Sequence, residues 1–528
     1  MLTDTTLKRL NTIGELSKQG KKINGLFRLM ENSALWKQAY TNISAGHRVV
    51  TKGINDDTLD GFSYKRAENI IKQLKANQYK FNPVRRTCIP KKNGKLKPLG
   101  IPSGNDKIVQ EVIKIILEEI YEPIFINEVH GFRPNRSCHT ALTQVKQSWT
   151  GVKWLIEMDI KNFSDHLDHK IMIQLLERKI EDKRFIKLIC DMLEAGYMEN
   201  WQYHKIYNGT IQGGNISSIL SNIYLHELDS FMKATTEEFN QGSARTLNPE
   251  YNRETDKIYG LRKKYQKLKS RPDSETKQLE MITETIKETQ AKRETVPYGG
   301  PYDPNYRRLV YNRYADDFII GIIGSKREAK EIASKVRIFL KNVLNIQIAE
   351  DKFKINDATQ GINYLGFIIK SCSGGKVLNK EINEKYTGQW MVKKRVQLII
   401  PEEKLWKFAK DKGYGDYYKM WTVSRSEILH GSDAEIIATY NAELRGLVNY
   451  YSIGHSAKKK LNKIVNMGRS SCAKTLANKH KMSTKKMIRS LKRPNGEWVR
   501  RVEDGNKVYE YKIYRLKTDF IQIPLTYD

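Results

Sequence analysis

Two adjacent acids, Asp316 and Asp317, stand between apolar strand-forming runs, Leu309-Val-Tyr311 before them and Phe318-Ile-Ile320 after. Neighbouring side chains on a strand point to opposite faces, so both carboxylates approach one point only if the chain reverses tightly at the pair. A strand–turn–strand is therefore predicted from Arg307 to Ile323, with the acids at its centre. A third acid, Asp159, closes another apolar run, Lys153-Trp-Leu-Ile-Glu-Met-Asp-Ile160. Burying carboxylates without a cation is costly, and hard divalent ions take oxygen ligands. Asp159, Asp316 and Asp317 are thus a candidate cage for two Mg²⁺ ions, about 3.5–4 Å apart, of the kind that stabilise the attacking and leaving oxygens in phosphoryl transfer. On spacing alone, a helix cap or a solvated turn would fit the Asp-Asp pair equally well.

Charge narrows the partner. Lys and Arg number 92 against 60 acids, a formal charge of +32, while 39% of residues are hydrophobic. That describes a folded protein whose partner is a polyanion, most simply nucleic acid. From Ser456 to Arg501, 15 basic residues meet one acid, Glu497, interleaved with Ile464, Met467, Ala473, Leu476 and Ala477 at helical spacing. A solvated face usually carries both signs, so this segment reads as a phosphate-binding surface, with Lys458, Lys459, Lys460, Lys474, Lys479 and Lys481 as candidate RNA contacts. The five cysteines lie far apart without a C-x-x-C pair, which argues against a disulfide framework or a structural zinc. Residues 1–22 hold no apolar run of signal-peptide type, and no stretch of about 18 apolar residues occurs, so a soluble intracellular protein with no membrane partner is expected.

At 528 residues the chain exceeds one hydrophobic core. Residues 1–60 read as short amphipathic helices, with Leu26, Leu29, Met30, Leu35, Trp36 and Tyr40 three and four apart. From Tyr64 to about Met232, helical stretches alternate with short apolar runs, as in an α+β body. Between about 233 and 300 charged residues dominate, and an inserted helical hairpin or partly mobile lobe is expected. After Gly374-Gly375 the chain should become helical again.

Tyr314-Ala-Asp-Asp317 resembles the signature of reverse transcriptases, and residues 208–228, which include Gln212-Gly-Gly-Asn215, resemble the motif preceding it in group II intron-encoded proteins. The similarity continues through residues 84–102, Gly131-Phe-Arg-Pro-Asn-Arg-Ser-Cys-His139, Asp159-Ile-Lys-Asn-Phe163 and Tyr364-Leu-Gly-Phe367. Leu444-Arg-Gly-Leu-Val-Asn-Tyr-Tyr451 and residues 471–481 look like maturase domain X. The resemblance implies an α+β right-hand polymerase. Residues 1–60 would form an extension contacting template RNA and 61–370 the fingers and palm. Residues 371–482 would form a helical thumb with domain X, and 483–528 a basic C-terminal segment.

By the same resemblance, Asp159, Asp316 and Asp317 match the metal-binding triad, with the Ile160 carbonyl as a further ligand and Mn²⁺ as a possible substitute. Lys91 and Lys97 match positions that contact the incoming triphosphate, although around Asn93-Gly94 they also suit a solvated hairpin turn. Gln212 and Gly213 match the loop beside the nascent base pair, and Lys352 is either a basic position near the site or a surface charge. The family usually carries proline where this chain has Ile211 and Ser218. It carries an aromatic residue under the nucleotide sugar where this chain has Ser164, with Phe163 a candidate substitute. His139, His166 and His169 show no metal-ligand pattern, and no Cys/His-rich endonuclease module is recognised after domain X, so target-strand cleavage is not expected.

The expected activity is RNA-directed DNA polymerisation, joined to binding of a group II intron RNA, splicing assistance and copying of the intron in retromobility. Partners would be that RNA, an RNA template with a DNA primer, dNTP and a DNA target. The bacterial cytoplasm is the expected location, with an organelle matrix as alternative. Two other readings stand beside this one: a polymerase-silent splicing factor, and a reverse transcriptase recruited to host defence or repair.

Overall fold

The computed structural model describes the chain except for residues 1–3, 47–48, 56, 91–95, 161–162, 200–201, 206–208, 210–213, 247, 271–275, 297–302, 304, 350–352, 372–376, 384–385, 392–394, 505–506 and 517–528. Backbone alone is described at 4, 97, 164–165, 276, 377–383, 386–391, 503–504 and 507. The periodic apolar residues near the start form α1 (Asp4–Lys18) and α2 (Ser33–Ala45), the latter capped by Asn32, which accepts the Ala34 N–H. After α3 (Tyr64–Lys75), strands β1 (Val84–Pro90) and β2 (Leu96–Ile101) pair antiparallel, and α4 (Gly104–Tyr121) follows. Both α1 and α2 pack on α4, and Ser17 Oγ donates to the Ile120 carbonyl at 2.6 Å.

The chain continues through α5 (Cys138–Ser148), β3 (Trp154–Asp159), α6 (Phe163–His166), α7 (His169–Glu177) and α8 (Lys183–Leu193). Strands β4 (Tyr197–Glu199) and β5 (Gln202–His204) return to the first pair, giving the sheet order β2-β1-β4-β5. After α9 (Ser217–Phe239), the charged stretch forms α10 (Pro249–Lys269) and α11 (Thr276–Thr295). These two run antiparallel, since Lys292 near the end of α11 meets Glu254 near the start of α10 at 3.6 Å and Arg293 stacks on Tyr251. At the neck of this excursion Gln241 and Arg307 exchange two backbone hydrogen bonds of 3.1 and 3.2 Å.

Strands β6 (Arg308–Tyr314) and β7 (Asp317–Ile323), helix α12 (Lys326–Leu344) and strand β8 (Lys354–Asp357) complete the central sheet, antiparallel in the order β6-β7-β3-β8. The sheet is buried on both faces. Ile156, Met158, Phe318, Ile320 and Ile322 join a core shared with α4, α9 and α12. Leu155, Ile319 and Ile323 join a second core, built with α5 and the C-terminal helices. Double burial is why β7 reads as an unbroken apolar run rather than an alternating one. Gly321 interrupts that run because a Cβ there would sit 2.9 Å from the Trp149 ring.

Beyond the sheet lie β9 (Ile362–Tyr364), β10 (Phe367–Ser371), β11 (Val377–Asn383), β12 (Tyr386–Met391) and β13 (Val396–Ile399). The expectation of helix directly after Gly374-Gly375 is corrected here: β11 and β12 pair with each other, and β13 pairs with β10 through Ile368↔Ile399. The apolar Val396 and Leu398 fill the second core from a strand, and helix resumes only at α13 (Glu402–Asp411). Two short strands, β14 (Gly415–Asp416) and β15 (Trp421–Thr422), precede α14 (Asp433–Tyr451), α15 (Ala457–Lys479) and α16 (Thr484–Leu491). The hairpin β16 (Val499–Asp504) and β17 (Lys507–Lys512) is tied to α14, where Asn441 donates to the Lys512 carbonyl and accepts the Tyr514 N–H, both at 2.7 Å. Among the described residues, no helix is long and apolar enough to cross a membrane.

Candidate active site

The turn between β6 and β7 contains only Ala315 and Asp316, because Tyr314 and Asp317 are already paired. Ala315 takes φ of 56°, a left-handed conformation that costs a non-glycine residue about 1–3 kcal/mol and persists where the surroundings over-determine it. The surroundings do so here. Arg313 Nη1 donates to the Ala315 carbonyl at 2.8 Å, and a Cβ on Gly131 would lie 2.2 Å from the Ala315 nitrogen, so only glycine fits beneath the turn. Arg313 also exchanges backbone hydrogen bonds with the 128–130 segment, donating to the Glu128 carbonyl and accepting the His130 N–H, each at 2.9 Å.

Arg313 is itself fixed from α9. Its Nε and Nη2 donate to the two oxygens of Asp229 at 2.8 and 2.7 Å, and its Nη1 also donates to Asn222 Oδ1 at 3.1 Å. Asn222 and Asp229 lie two turns apart on the buried face of α9, and Asn222 Nδ2 donates to the Gly131 carbonyl at 2.8 Å. Arg313 and Asp229 are both fully buried. Burial opposes the guanidinium charge, but the Asp229 carboxylate outweighs it and holds the Arg313 pKa above its ordinary value. Tyr311, which donates to Asp229 at 2.9 Å, is pushed well up, first by burial and then by that carboxylate.

Asp159, the last residue of β3, is the register partner of Asp317. Since Tyr314↔Asp317 closes the β6–β7 ladder, the Asp317 backbone groups point toward β6. The Asp159 carbonyl points the other way, accepting the Ala349 N–H at 2.9 Å. The two acids therefore form a non-hydrogen-bonded pair, the type with Cα atoms about 4.5 Å apart and side chains closest, where like charges repel. Asp317 is exposed and Asp159 and Asp316 are half-buried. Among the described residues, no three His, Cys, Asp or Glu side chains converge closely enough to hold an ion; the acids meet through backbone register. Their donor set, carboxylate oxygen throughout, suits a hard divalent cation. The Ile160 side chain is buried, and its backbone bridges to Ile348.

Of the other sequence candidates, Lys91, Gln212, Gly213 and Lys352 lie outside the described residues, as does Ile211. Lys97 is in β2 opposite Ile89, and Ser164 is in α6, both described by backbone alone. Phe163 is in the core, its ring set edge-on to Tyr224 with centroids 6.1 Å apart, and Tyr224 donates to the Leu344 carbonyl. Lys458, Lys459 and Lys481 are exposed. By contrast, Lys460 Nζ donates to the Ile400 carbonyl at 2.8 Å, Lys474 to the Thr422 carbonyl, and Lys479 to the Gly431 carbonyl while pairing with Asp433. His139 and His169 bond to the Tyr450 and Gly209 carbonyls, and His166 is exposed.

Sequence reading missed Arg313, Asp229, Asn222 and His130. The signal for the first pair was present, as an arginine inside an apolar strand and an aspartate on the apolar face of a helix. Each requires a partner when buried. The His130 Nε2 shares Gln144 Oε1 with Asn312 Nδ2, at 2.8 and 2.7 Å, and Tyr364 donates to Asn312 Oδ1 at 2.8 Å. Burial lowers the His130 pKa to about 4, against the opposing hydrogen bond to Gln144.

Comparison with known proteins places these features. The reverse transcriptase (RNA-dependent DNA polymerase) family matches residues 89–242, and the type II intron maturase family matches residues 393–519. The group II intron-encoded protein LtrA of Lactococcus lactis subsp. cremoris is 39% identical over 483 residues, covering 90% of this chain and 78% of the relative. The putative COX1/OXI3 intron 2 protein of Saccharomyces cerevisiae is 33% identical over 88% of this chain and 53% of its own length. A 91 kDa protein in the cob intron of Schizosaccharomyces pombe is 32% identical over 91% of this chain and 58% of its own length. With a reverse transcriptase region upstream, a maturase region downstream and the identity to LtrA across most of both chains, the chain belongs to the group II intron-encoded proteins, RNA-directed DNA polymerases that also act as splicing maturases.

Proposed function

We propose that the central sheet is the palm of a right-hand polymerase, with the β1–β2 region as fingers, residues 371–482 as thumb and domain X, and residues 1–60 as a template-RNA contact. In this reading the chain copies its own intron RNA into DNA and carries the copy to a DNA target. The observation that carries the reading is the opposition of Asp159 and Asp317 beside Asp316 at the end of the sheet. Bound there, two Mg²⁺ ions would neutralise charge as a primer 3′-hydroxyl attacks the α-phosphate of a dNTP and pyrophosphate leaves in line.

The chain's own residues do the holding. Asp159, Asp316, Asp317 and the Ile160 carbonyl supply oxygens. Lys91 and Lys97 offset triphosphate charge, with Lys352 as a further cation. Ser164, Gln212 and Gly213 bound the nascent base pair, with Phe163 supporting them from the core, while the exposed Lys458, Lys459 and Lys481 face the RNA and Lys460, Lys474 and Lys479 brace that surface through backbone carbonyls. Primer extension on an RNA template tests the assignment. Asp316→Ala with Asp317→Ala should abolish extension under Mg²⁺ or Mn²⁺ while RNA binding persists, and retained extension would refute it.

A further inference from the structure

Three arginines are buried among the described residues: Arg133, Arg313 and Arg469. Arg133 pairs with Glu122 at 2.8 Å and Arg313 with Asp229 at 2.7 Å. Among the described residues, Arg469, on α15, has no ion pair, and its Nε and Nη2 are shielded from solvent without a hydrogen-bond partner. Nε and Nη2 are the two arms of one guanidinium fork. Arg313 shows what that fork does when filled, since the same two atoms hold both oxygens of Asp229. In Arg469 the same two atoms hold no acid among the described residues. The half-buried Trp498 ring lies 4.4 Å over the guanidinium. Burial, and then the positive charge of the exposed Arg515, pull the Arg469 pKa below its ordinary value.

The neighbouring cations behave differently. On the C-terminal hairpin, Arg501 pairs with Glu510, Lys512 with Glu497 and Arg500 with Asp433. Among the described residues Arg515 makes no ion pair within 4 Å; it donates to the Asn495 carbonyl at 3.5 Å, and its charge reaches Glu497 only at longer range. An unpaired buried charge is a stability cost, and Met would fill the same volume without it. An arginine stacked on an aromatic ring, where a methionine would carry no charge to bury, suits an anionic ligand.

We propose that Arg469, Arg515 and Trp498 form a binding site for one RNA phosphodiester, the two fork N–H groups taking its two non-bridging oxygens and the indole supporting the adjoining base or ribose. The site lies within the stretch matched by the maturase family, and the inference rests on the reading that this region binds intron RNA. Because Nε and Nη2 are shielded, binding requires the side chains that cover them to move apart.

The test uses the full chain and a labelled transcript of the RNA flanking its reading frame. Arg469→Met should raise the melting temperature in chloride buffer, weaken RNA binding about tenfold or more, and flatten the salt dependence by roughly 0.7–0.9 log units per decade, the share of one phosphate. Inorganic phosphate should raise the melting temperature of the parent but not of Arg469→Met. Arg469→Lys, which keeps the charge and loses the fork, should keep most of the slope and lose affinity. Unchanged affinity and slope in Arg469→Met overturns the proposal, as does a phosphate-dependent melting shift with no change in RNA slope, which would mean a free-anion site. If Arg469→Met fails to fold, Arg515→Met at the exposed position decides, and an unchanged slope there also overturns it. A parent protein that does not bind the transcript would instead remove the underlying reading.

Discussion

Asp159 and Asp317 face each other across β3 and β7 at a non-hydrogen-bonded position, so that two like charges meet at the end of a ladder held elsewhere by backbone bonds. The pair should weaken the fold slightly without metal and become an asset with it. Asp159→Asn is expected to raise stability in chelator by about 0.2–1 kcal/mol and to abolish the stabilisation that added Mg²⁺ gives the parent. Extension should fall by three or more decades, given that metal charge stabilisation is worth several kcal/mol. Urea unfolding with and without Mg²⁺ reads the first two effects.

The Arg313–Asp229 pair allows stability and catalysis to be separated. Asp229→Asn leaves a buried guanidinium without its counter-charge and should cost about 3–5 kcal/mol. The double variant Arg313→Met with Asp229→Leu should recover most of that stability, because apolar replacement of a buried pair is often neutral. It should still extend primers slowly, since the Ala315 carbonyl has lost the donor that holds the turn. Full activity in a stable double variant would show that the turn needs no such support.

His130 makes stability depend on pH in a known direction. Its folded pKa of about 4 lies below the ordinary 6.5, so between these values the unfolded chain binds the proton first. Stability is therefore lost as pH falls from about 6.5 to about 4, by roughly 3 kcal/mol in all. In His130→Gln that part of the slope should vanish. Denaturant midpoints at pH 7 and pH 4.5 for both proteins check it.

Sugar discrimination should turn on Ser164 rather than Phe163. A small serine leaves room for a 2′-hydroxyl where an aromatic ring would exclude it, so Ser164→Phe should raise dNTP over rNTP selectivity in single-nucleotide incorporation. Phe163 is packed against Tyr224 in the core. Phe163→Ala should lower stability by about 3–5 kcal/mol without selectively admitting rNTPs. A stable Phe163→Ala protein that has lost discrimination would make Phe163 the gate.

The basic lysines should divide into two groups. Reversal of the exposed Lys458, Lys459 and Lys481 to Glu should flatten the salt dependence of RNA binding by roughly 0.7–0.9 log units for each phosphate that is no longer neutralised. Lys460, Lys474 and Lys479 have ammonium groups engaged by backbone carbonyls. Replacing them with Met should appear mainly in the melting temperature, at about 1.5–3 kcal/mol for a hydrogen bond to a charged group.

How much was legible follows from the range of the interactions. The strand–turn–strand around Asp316 and Asp317 could be read locally, since apolar runs and a central acid pair are neighbours in sequence. The helices of residues 1–60 were equally readable from Leu35, Trp36 and their periodic partners. The strands β11 to β13 were not, because their stabilisation comes from pairing, as in Ile368↔Ile399, which leaves little trace in local propensity. The same holds at the site: Asp159 was visible as an acid ending an apolar run, but its opposition to Asp317 is a fact of register. Arg313 and Asp229 are 84 positions apart in sequence, and only folding reveals that one answers the other.

The neck formed by Gln241 and Arg307 has a consequence for how such a chain can change over generations. Two backbone bonds hold its ends at bridge spacing whatever lies beyond, and lengthening a closed loop costs only about 0.6 kcal/mol per doubling. The α10–α11 excursion is thus free to grow, shrink or be exchanged for an unrelated module while Asp159 and Asp317 keep their register. A lineage, or an engineer, can hang new cargo there without reopening the polymerase.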